Sequence, residues 1–155
     1  MPFADLREWL SALEKAGELQ RIGVEVDWDL EAGAIVRRIC ETDGPAVLFE
    51  KIKDYPKGFR LLGAPMAQSR RHRYARLAIA LDLPPDSSAK EITESYLKRR
   101  KHPIPPVRVS SAPCQENVLT GDEVDLLKFP VPVIHGGDGG RYIGTWHTVI
   151  TKDPG

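Results

Sequence analysis

Three prolines, Pro103, Pro105 and Pro106, fall within four residues in the second half of the chain. Proline removes a backbone donor and clashes with the preceding helical turn, so no helix passes through this stretch. Such a cluster is typical of linkers and of crossings between domains. The sequence therefore predicts an N-terminal domain over residues 1–103 and a different region over residues 104–155.

The region before the prolines alternates helical patterns with short apolar runs. Apolar residues recur at helical spacing in four stretches, whereas alternating or continuous apolar residues predict three strands. This alternation is typical of an α/β unit. Helices are predicted near 6–16, 30–40, 69–81 and 88–97, and strands at 19–26, 46–49 and 60–63.

Local signals mark where two of these helices begin and where one ends. Asp5 with Glu8, and Ser88 with Glu91, have the spacing of a capping box, in which each side chain accepts a backbone N–H of the first turn. Gly17 is placed to end the first helix in the left-handed conformation. The first predicted strand then alternates Ile22, Val24 and Val26 with polar residues.

After the prolines the helical patterns stop. Val107–Val109 is predicted as a short strand, and the two prolines within Phe129–Pro132 cannot donate to a sheet. Gly136–Gly140 is predicted as a tight turn that leads into Arg141–Thr151, the segment richest in β-branched and aromatic residues. The chain is predicted to be α+β, with an α/β domain followed by a β-rich region.

Charge and composition exclude several classes of protein. The chain has 22 basic and 22 acidic side chains, so no net charge draws it to nucleic acid or to an anionic membrane. No apolar run reaches the roughly 20 residues of a membrane span, and the N-terminus lacks a secretory pattern. Cys40 and Cys114 form no disulfide framework. We expect a cytoplasmic protein without nucleic-acid or membrane partners.

The chemistry-bearing residues form no self-contained catalytic motif. His135 and Asp138 could be two metal ligands, and Cys114 could be a nucleophile only beside an activating base. The glycine turn could cradle a phosphate, although its spacing matches neither nucleotide-binding glycine motif. No metal motif is formed by the four histidines, which are His72, His102, His135 and His147.

Two basic runs lie on predicted helices, at Arg70–Arg73 with Arg76 and at Lys98–His102. We interpret them as solvated helix faces and as positive charge near helix C-termini. The alternatives are a phosphate or subunit contact, or a nucleic-acid-binding module that uses both helices.

Several short motifs stand in a fixed order along the chain: Asp5–Leu10, Glu14–Leu19, Pro45–Lys53, Gln115–Val118, Val124–Pro132, His135, Asp138–Thr145 and Val149–Pro154. Their later part reads ENV, then DL..FP.P..H..DGG.YI.T, then I..DP. Taken together, they resemble the UbiD family over essentially the whole chain.

The resemblance implies a reversible decarboxylase of aromatic, heteroaromatic or α,β-unsaturated acids that uses prenylated FMN, with Mn²⁺ and K⁺ at the cofactor phosphate. It implies that residues 1–103 form the N-terminal α/β domain. Residues 104–155 would then be the first, truncated part of a flavin-reductase-like split β-barrel. It also implies a further domain, outside these residues, that drives homo-oligomerisation.

The resemblance places one residue of this chain, Thr145, beside the flavin. Alternation along a strand puts His147 on the same face and Trp146 on the other, so Thr145 and His147 are the predicted cofactor contacts. The family's metal ligands and its catalytic glutamate–arginine–glutamate set have no counterpart here. We therefore expect no catalytic residue in these 155 residues, and no activity from them alone. The alternative is a non-catalytic accessory subunit of a decarboxylase complex. Polyprenyl-hydroxybenzoate, simple phenolic acids and heteroaromatic acids all remain open as substrates, and we favour a small phenolic acid.

Overall fold

The computed structural model describes residues 3–105, 107–141 and 143. These residues form a mixed α/β domain followed by a long irregular segment that carries three short 3₁₀ turns, at Pro113–Gln115, Gly121–Glu123 and Leu126–Lys128. The regular elements, in chain order, are α1 (Leu6–Lys15), β1 (Leu19–Val26), α2 (Glu31–Glu41), β2 (Ala46–Ile52), β3 (Leu61–Gly63), α3 (Ala75–Ala80) and α4 (Ala89–Arg100).

The three strands form one sheet in the order β1-β2-β3. β1 and β2 run parallel, with Leu19 opposite Ala46, and α2 is the crossover that a parallel pair requires. β3 returns antiparallel to β2, with Val47 opposite Gly63. The strand bounds predicted for β1 are confirmed to the residue.

The central strand β2 is buried on both faces, which accounts for its continuous apolar sequence. One face packs against α1 and α3, and the other against α2. The first cluster comprises Trp9, Leu10, Leu13, Leu19, Ala46, Leu48 and Ile79. The second comprises Val26, Ala32, Val47, Phe49 and Ile52.

The predicted helix ends are confirmed at α1 and α4. The Asp5 carboxylate accepts the Glu8 N–H at 2.9 Å, while the Glu8 carboxylate accepts the N–H of Ala4 at 2.8 Å rather than that of Asp5. Ser88 and Glu91 form the complete capping box. Gly17 takes a φ of +73°, the left-handed conformation predicted for the end of α1.

The third predicted helix is wrong in length and in its buried face. The structure has a helix only over Ala75–Ala80, and the residues before it are folded in turns. Tyr74 and Leu77, two of the apolar residues at helical spacing, are 38% and 40% exposed, whereas Arg76 is fully buried. The helix was predicted from the spacing of apolar residues alone, whereas the side chain that is buried here, Arg76, is charged.

The alternation predicted along β1 is also interrupted. The pairing register with β2 shifts between Ile22 and Glu25, and this irregularity leaves Val24 71% exposed while Val26 is buried. Within the helix predicted near 30–40, the apolar residues Leu30 and Ala34 are exposed. The α2 residues that face the core are Ala32, Gly33, Ile35, Val36 and Ile39.

Beyond α4 the chain leaves the domain and later returns. The strand predicted at Val107–Val109 is wrong, because these residues form no strand and are exposed. The chain regains buried contacts at Pro130 and Val131. The split β-barrel stays a prediction, since most of its expected first strand is outside the described residues. Among the described helices, none has the length and apolar character to cross a bilayer.

Candidate functional site

The predicted cofactor contacts, Thr145 and His147, lie outside the described residues, as does Trp146. The structure describes the chain as far as Arg141 and again at Ile143. The candidate site is therefore built from the segment that leads into the predicted strand, and from the surface that this segment contacts.

Residues Phe129–Ile134, called here the docked segment, pack against the N-terminal domain beside the start of α2. The Val133 N–H donates to the carbonyl of Trp28 at 3.1 Å, and the Leu30 N–H donates to the carbonyl of Val133 at 3.0 Å. Val131 is buried, with 8% of its surface exposed. One backbone pair and one apolar side chain thus hold the segment on the domain.

The docked segment passes so close to α2 that only glycine fits at one helical position. A Cβ built on Gly33 would lie 2.4 Å from the carbonyl oxygen of Ile134, well inside van der Waals contact. Just before the helix, Leu30 has a φ of +67°, which is rare for a non-glycine residue, and its N–H is the one that bonds Val133. The N-terminal end of α2 is thus shaped around the segment.

Arg141 connects the docked segment to aromatic residues of the domain. Its Nε donates to the carbonyl of Val131 at 2.6 Å, and its Nη2 donates to the carbonyl of Phe129 at 3.4 Å and to the Tyr55 hydroxyl. Its Cζ lies 4.1 Å from the ring centroid of Trp28, within the range of a cation–π contact. Arg141 was not among the predicted site residues.

Two shallow clefts lie in this region, one lined by Arg141 and the other by the docked segment. One, of about 500 Å³, is lined by Trp28, Tyr55, Phe59 and Arg141 together with Asp54, Pro56, Asp125, Leu127 and Lys128. The Tyr55 hydroxyl closes one side of it by donating to the carbonyl of Leu127 at 2.8 Å. The other cleft, of about 400 Å³, is mostly apolar and lies between the docked segment and Arg60, Leu61 and Ile143.

An ion pair flanks this surface at the ends of the two parallel strands. Lys53 donates to the carboxylate of Asp27, and the Asp29 N–H donates to the same side chain at 2.9 Å. Lys53 is the main cause that holds the pKa of Asp27 below its usual value. Asp27 in turn raises the pKa of Lys53. Both charges are therefore fixed at neutral pH beside Trp28.

The predicted glycine turn is an exposed loop that Asp138 closes. The His135 N–H donates to the Asp138 carboxylate at 2.9 Å, and the His135 Nδ1 lies 3.7 Å from the same oxygen. A Cβ at Gly136, Gly137 or Gly139 would meet no atom within 4 Å. These three glycines are not required for the close approach of any described atom.

No group of three or more His, Cys, Asp or Glu side chains is placed to hold a metal ion within the described ranges. Cys40 and Cys114 are both exposed. The Ser69 and Ser88 hydroxyls each donate to a carboxylate at 2.7 Å, but Ser69 is buried and Ser88 caps α4, so both have structural roles.

Arg76 is buried, so its interpretation as part of a solvated basic helix face is wrong. Its side chain is fully buried, and its Nη1 donates to the Glu18 carboxylate at 2.9 Å and to the carbonyl of Gly44 at 3.0 Å. Its Nη2 donates to the carbonyls of Ala67 at 2.6 Å and Gln68 at 2.8 Å. Arg76 thus links Glu18 to the backbone at Gly44 and at Ala67–Gln68, and its side chain is not accessible to a phosphate.

Arg70, which is exposed and belongs to the same basic run as Arg76, also has a structural role. Arg70 donates to the carbonyl of Thr42, the residue that ends α2, at 2.8 Å. Positive charge at a helix C-terminus is favourable because the last carbonyls carry partial negative charge. The cleft of about 580 Å³ beside Arg70 and Arg71 thus lies at a helix C-terminus and includes Glu18. The second run, Lys98–His102, is exposed as predicted.

Sequence reasoning missed two clusters, Trp28–Tyr55–Arg141 and Glu18–Ser69–Arg76. Arg141 and Tyr55 are 86 residues apart, so no local spacing joins them. The sequence does point to Arg141, because this residue lies within the motif Asp138–Thr145. No such signal exists for Arg76, because a charged residue within a basic run gives no sign of burial.

Two family models match consecutive parts of the chain. The N-terminal domain of 3-octaprenyl-4-hydroxybenzoate carboxy-lyase matches residues 10–96, and the Rift-related domain of the same enzyme matches residues 106–155. Both models describe the UbiD family.

Curated relatives extend the match over nearly the whole chain. The pyrrole-2-carboxylic acid decarboxylase of Pseudomonas aeruginosa is 43% identical over 96% of this chain and 31% of its own length. Ferulic acid decarboxylase 1 of Saccharomyces cerevisiae is 35% identical over 99% of this chain and 32% of its own length. The chain thus spans about a third of the length of the curated relatives it matches.

Solved structures resemble the fold as well. The vanillic acid decarboxylase of Sedimentibacter hydroxybenzoicus in its open form gives a TM-score of 0.78 at 34% identity, covering 91% of this chain and 30% of that one. An evolved dimeric form of HmfF from Pelotomaculum thermopropionicum, in complex with prFMN, gives a TM-score of 0.72 at 30% identity over 91% of this chain and 30% of that one.

Proposed function

The chain belongs to the UbiD family of carboxy-lyases, and from this membership we propose that it forms the N-terminal third of a reversible, non-oxidative decarboxylase of aromatic carboxylic acids that uses prenylated FMN. The substrate is a small aromatic acid, most simply a phenolic one. The observation that carries the proposal is the consecutive match of two domains of one enzyme family over residues 10–96 and 106–155.

The relatives support a common chemistry. Their names specify pyrrole-2-carboxylic, ferulic and vanillic acids, in each of which the carboxyl group is bonded to an sp² carbon. Departure of CO₂ leaves an electron pair that the substrate cannot delocalise, so an electron sink is needed. The bound flavin supplies that sink.

The described residues do not themselves fit the whole cofactor. They lack a three-membered group of metal donors, and the predicted flavin contacts Thr145 and His147 lie outside them. The residues that contact the cofactor phosphate, Mn²⁺ and K⁺ belong to the two thirds of the relatives' length that this chain does not span. We place the catalytic acid in the same part. The same proposal makes the 155 residues inactive alone, and it places the enzyme in the cytoplasm as a homo-oligomer.

The task proposed for this chain is to support one wall of the flavin cavity. The N-terminal domain holds the docked segment through Trp28 and Leu30, and Arg141 bridges this segment to Trp28 and Tyr55. The segment is followed by the glycine turn 136–140 and then by the predicted strand of Thr145. A wall held on a packed α/β domain orients the bound acid and excludes water from the reacting carbon.

A domain exchange tests the proposal. The 155 residues replace the corresponding first third of the Pseudomonas aeruginosa pyrrole-2-carboxylic acid decarboxylase, and CO₂ release from pyrrole-2-carboxylate is measured after loading with prenylated FMN. We expect turnover by the hybrid, none by the 155 residues alone, and none by the relative's remaining two thirds alone. A hybrid that folds and binds the flavin but releases no CO₂ would contradict the proposal.

The same materials test the accessory-subunit alternative. Here the 155 residues are added in trans to the relative's remaining two thirds. Recovery of turnover by this mixture, with none by the covalent hybrid, would favour a separate subunit.

A matched pair of hybrids, Thr145→Val and Thr120→Val, then tests the flavin contact, because only the change at Thr145 is expected to weaken flavin binding.

A further inference from the structure

We propose that Arg141 is a positioning residue, which clamps the docked segment onto Trp28 and Tyr55 and so fixes where the chain enters the predicted strand of Thr145. The role of Thr145 rests on the proposed function. The clamp itself rests only on contacts among described residues.

The geometry of Arg141 joins three parts of the chain through one planar group. The Nε–H and Nη2–H donors reach the carbonyls of Val131 and Phe129, while Cζ lies over the Trp28 ring and Nη2 also donates to the Tyr55 hydroxyl. A guanidinium can stack on a ring and donate within its own plane at the same time. A lysine ammonium cannot, because it is a point charge without a plane.

The docked segment needs such a clamp because its own backbone offers few donors. Pro130 and Pro132 have no N–H, and the Val131 N–H is used locally by the carbonyl of Phe129 at 2.7 Å. Among the described residues, only Val133 of this segment bonds the domain backbone, through its N–H to Trp28 and its carbonyl to Leu30. Arg141 satisfies the carbonyls of Val131 and Phe129 that a sheet would otherwise pair.

The clamp is separate from the two hydrophobic clusters of the domain. Neither cluster contains Arg141 or a residue of the docked segment, although Trp28 and Tyr55 pack partly against the second one. The segment can therefore open while the sheet stays folded, as local opening requires. Thr145 and His147 follow Arg141 by four and six residues, so a shift of Arg141 moves the start of the segment that carries them.

Amide hydrogen exchange of the 155-residue chain tests the clamp without any cofactor. The probe is the Val133 amide, measured in the native chain and in R141A, R141K and the exposed control R108A. We expect at least about tenfold faster exchange in both Arg141 variants and native exchange in R108A. Native exchange in R141A, or rescue by R141K, would overturn the proposal, because charge alone would then suffice.

A second control separates positioning from general stabilisation. Val47→Ala weakens the core at a residue that is 1% exposed, belongs to the second hydrophobic cluster and is not part of the docked segment. We expect it to speed exchange at the Leu48 amide and to leave Val133 unchanged. If Val47→Ala accelerates Val133 as much as R141A does, the segment opens only with the whole domain, and Arg141 has no separate role.

The functional consequence is measured in the hybrid enzyme. R141K is expected to lower kcat by about a hundredfold, because a displacement near 1 Å at a reacting centre has an effect of that size, with flavin still bound. Unchanged kcat would overturn the positioning role. An inactive hybrid with native Arg141 would instead count against the proposed function, and the exchange experiment would still decide the clamp.

Discussion

Arg76 donates to the carboxylate of Glu18 at 2.9 Å, and the two side chains are 0% and 8% exposed. Ser69, itself buried, donates to the other Glu18 oxygen at 2.7 Å. The pair therefore sits in a polar cluster between α1, α3 and the loop before β2, where the fully buried guanidinium of Arg76 cannot be hydrated if Glu18 is removed.

Removal of one partner is expected to be strongly destabilising. Glu18→Ala leaves a buried guanidinium without its counter-charge, and we expect it to lower the free energy of unfolding by about 3–5 kcal/mol. The measurement is urea denaturation followed by circular dichroism. The matched control is Glu14→Ala, which removes an exposed partner of Arg21 and is expected to cost less than about 1 kcal/mol. Equal losses in the two variants would show that burial of the pair has no special effect.

Gly33→Ala is expected to release the docked segment and yet favour the helix. A new Cβ would lie 2.4 Å from the carbonyl oxygen of Ile134, so the segment must move away. Alanine in place of glycine favours an α-helix by about 1 kcal/mol, so α2 itself is not weakened. We expect faster exchange at the Val133 amide with unchanged helical circular dichroism. Gly137→Ala, where a Cβ meets no atom within 4 Å, is the control and should behave as the native chain.

The Trp28–Arg141 contact is expected to contribute coupling energy that a double-mutant cycle can measure. We predict a coupling of about 0.5–2 kcal/mol between Trp28→Leu and Arg141→Ala, the range of cation–π contacts from exposed to desolvated sites. The free energies are those of local opening, taken from exchange of the Val133 amide. Additive effects of the two substitutions would mean that the stacking at 4.1 Å is incidental.

Acid is expected to loosen the N-terminal end of α4 through its capping box. The Ser88 backbone N–H, at 2.7 Å, is the main cause that holds the pKa of Glu91 below its usual value. A lowered carboxylate pKa stabilises the folded state at neutral pH, and this contribution is lost as pH falls below about 4.5, through the lowered pKa. We expect Glu91→Gln to flatten the change of the urea midpoint between pH 7 and pH 3.5. The control Glu94→Gln, at an exposed position of the same helix, should leave that change as in the native chain.

Local chemistry predicted the first half of the fold well. The caps at Asp5 and Ser88, the left-handed Gly17 and the bounds of β1 all depend on residues within one or two turns of each other, and all are confirmed. The strand predicted at 60–63 is also confirmed, as the three-residue β3 over Leu61–Gly63.

The errors arose where distant residues decide the outcome. The third helix begins only at Ala75 because Ser69 and Arg76 both turn inward to Glu18, more than 50 residues earlier. Periodicity cannot anticipate a buried arginine, since its template counts only apolar side chains. The Trp28–Arg141 stack is likewise invisible to any local window. The predicted contacts Thr145 and His147 and the split β-barrel remain predictions.

The return of the chain at the docked segment has a consequence for the exposed stretch between α4 and Phe129. Its two ends are held by the same domain, so this stretch is a closed loop, and the entropic penalty of closing it grows only with the logarithm of its length. Halving the loop would stabilise docking by only about 0.6 kcal/mol, and doubling it would weaken docking by as little. The length of the loop over residues 104–128 can therefore differ widely between relatives while the Arg141 clamp keeps the same strength.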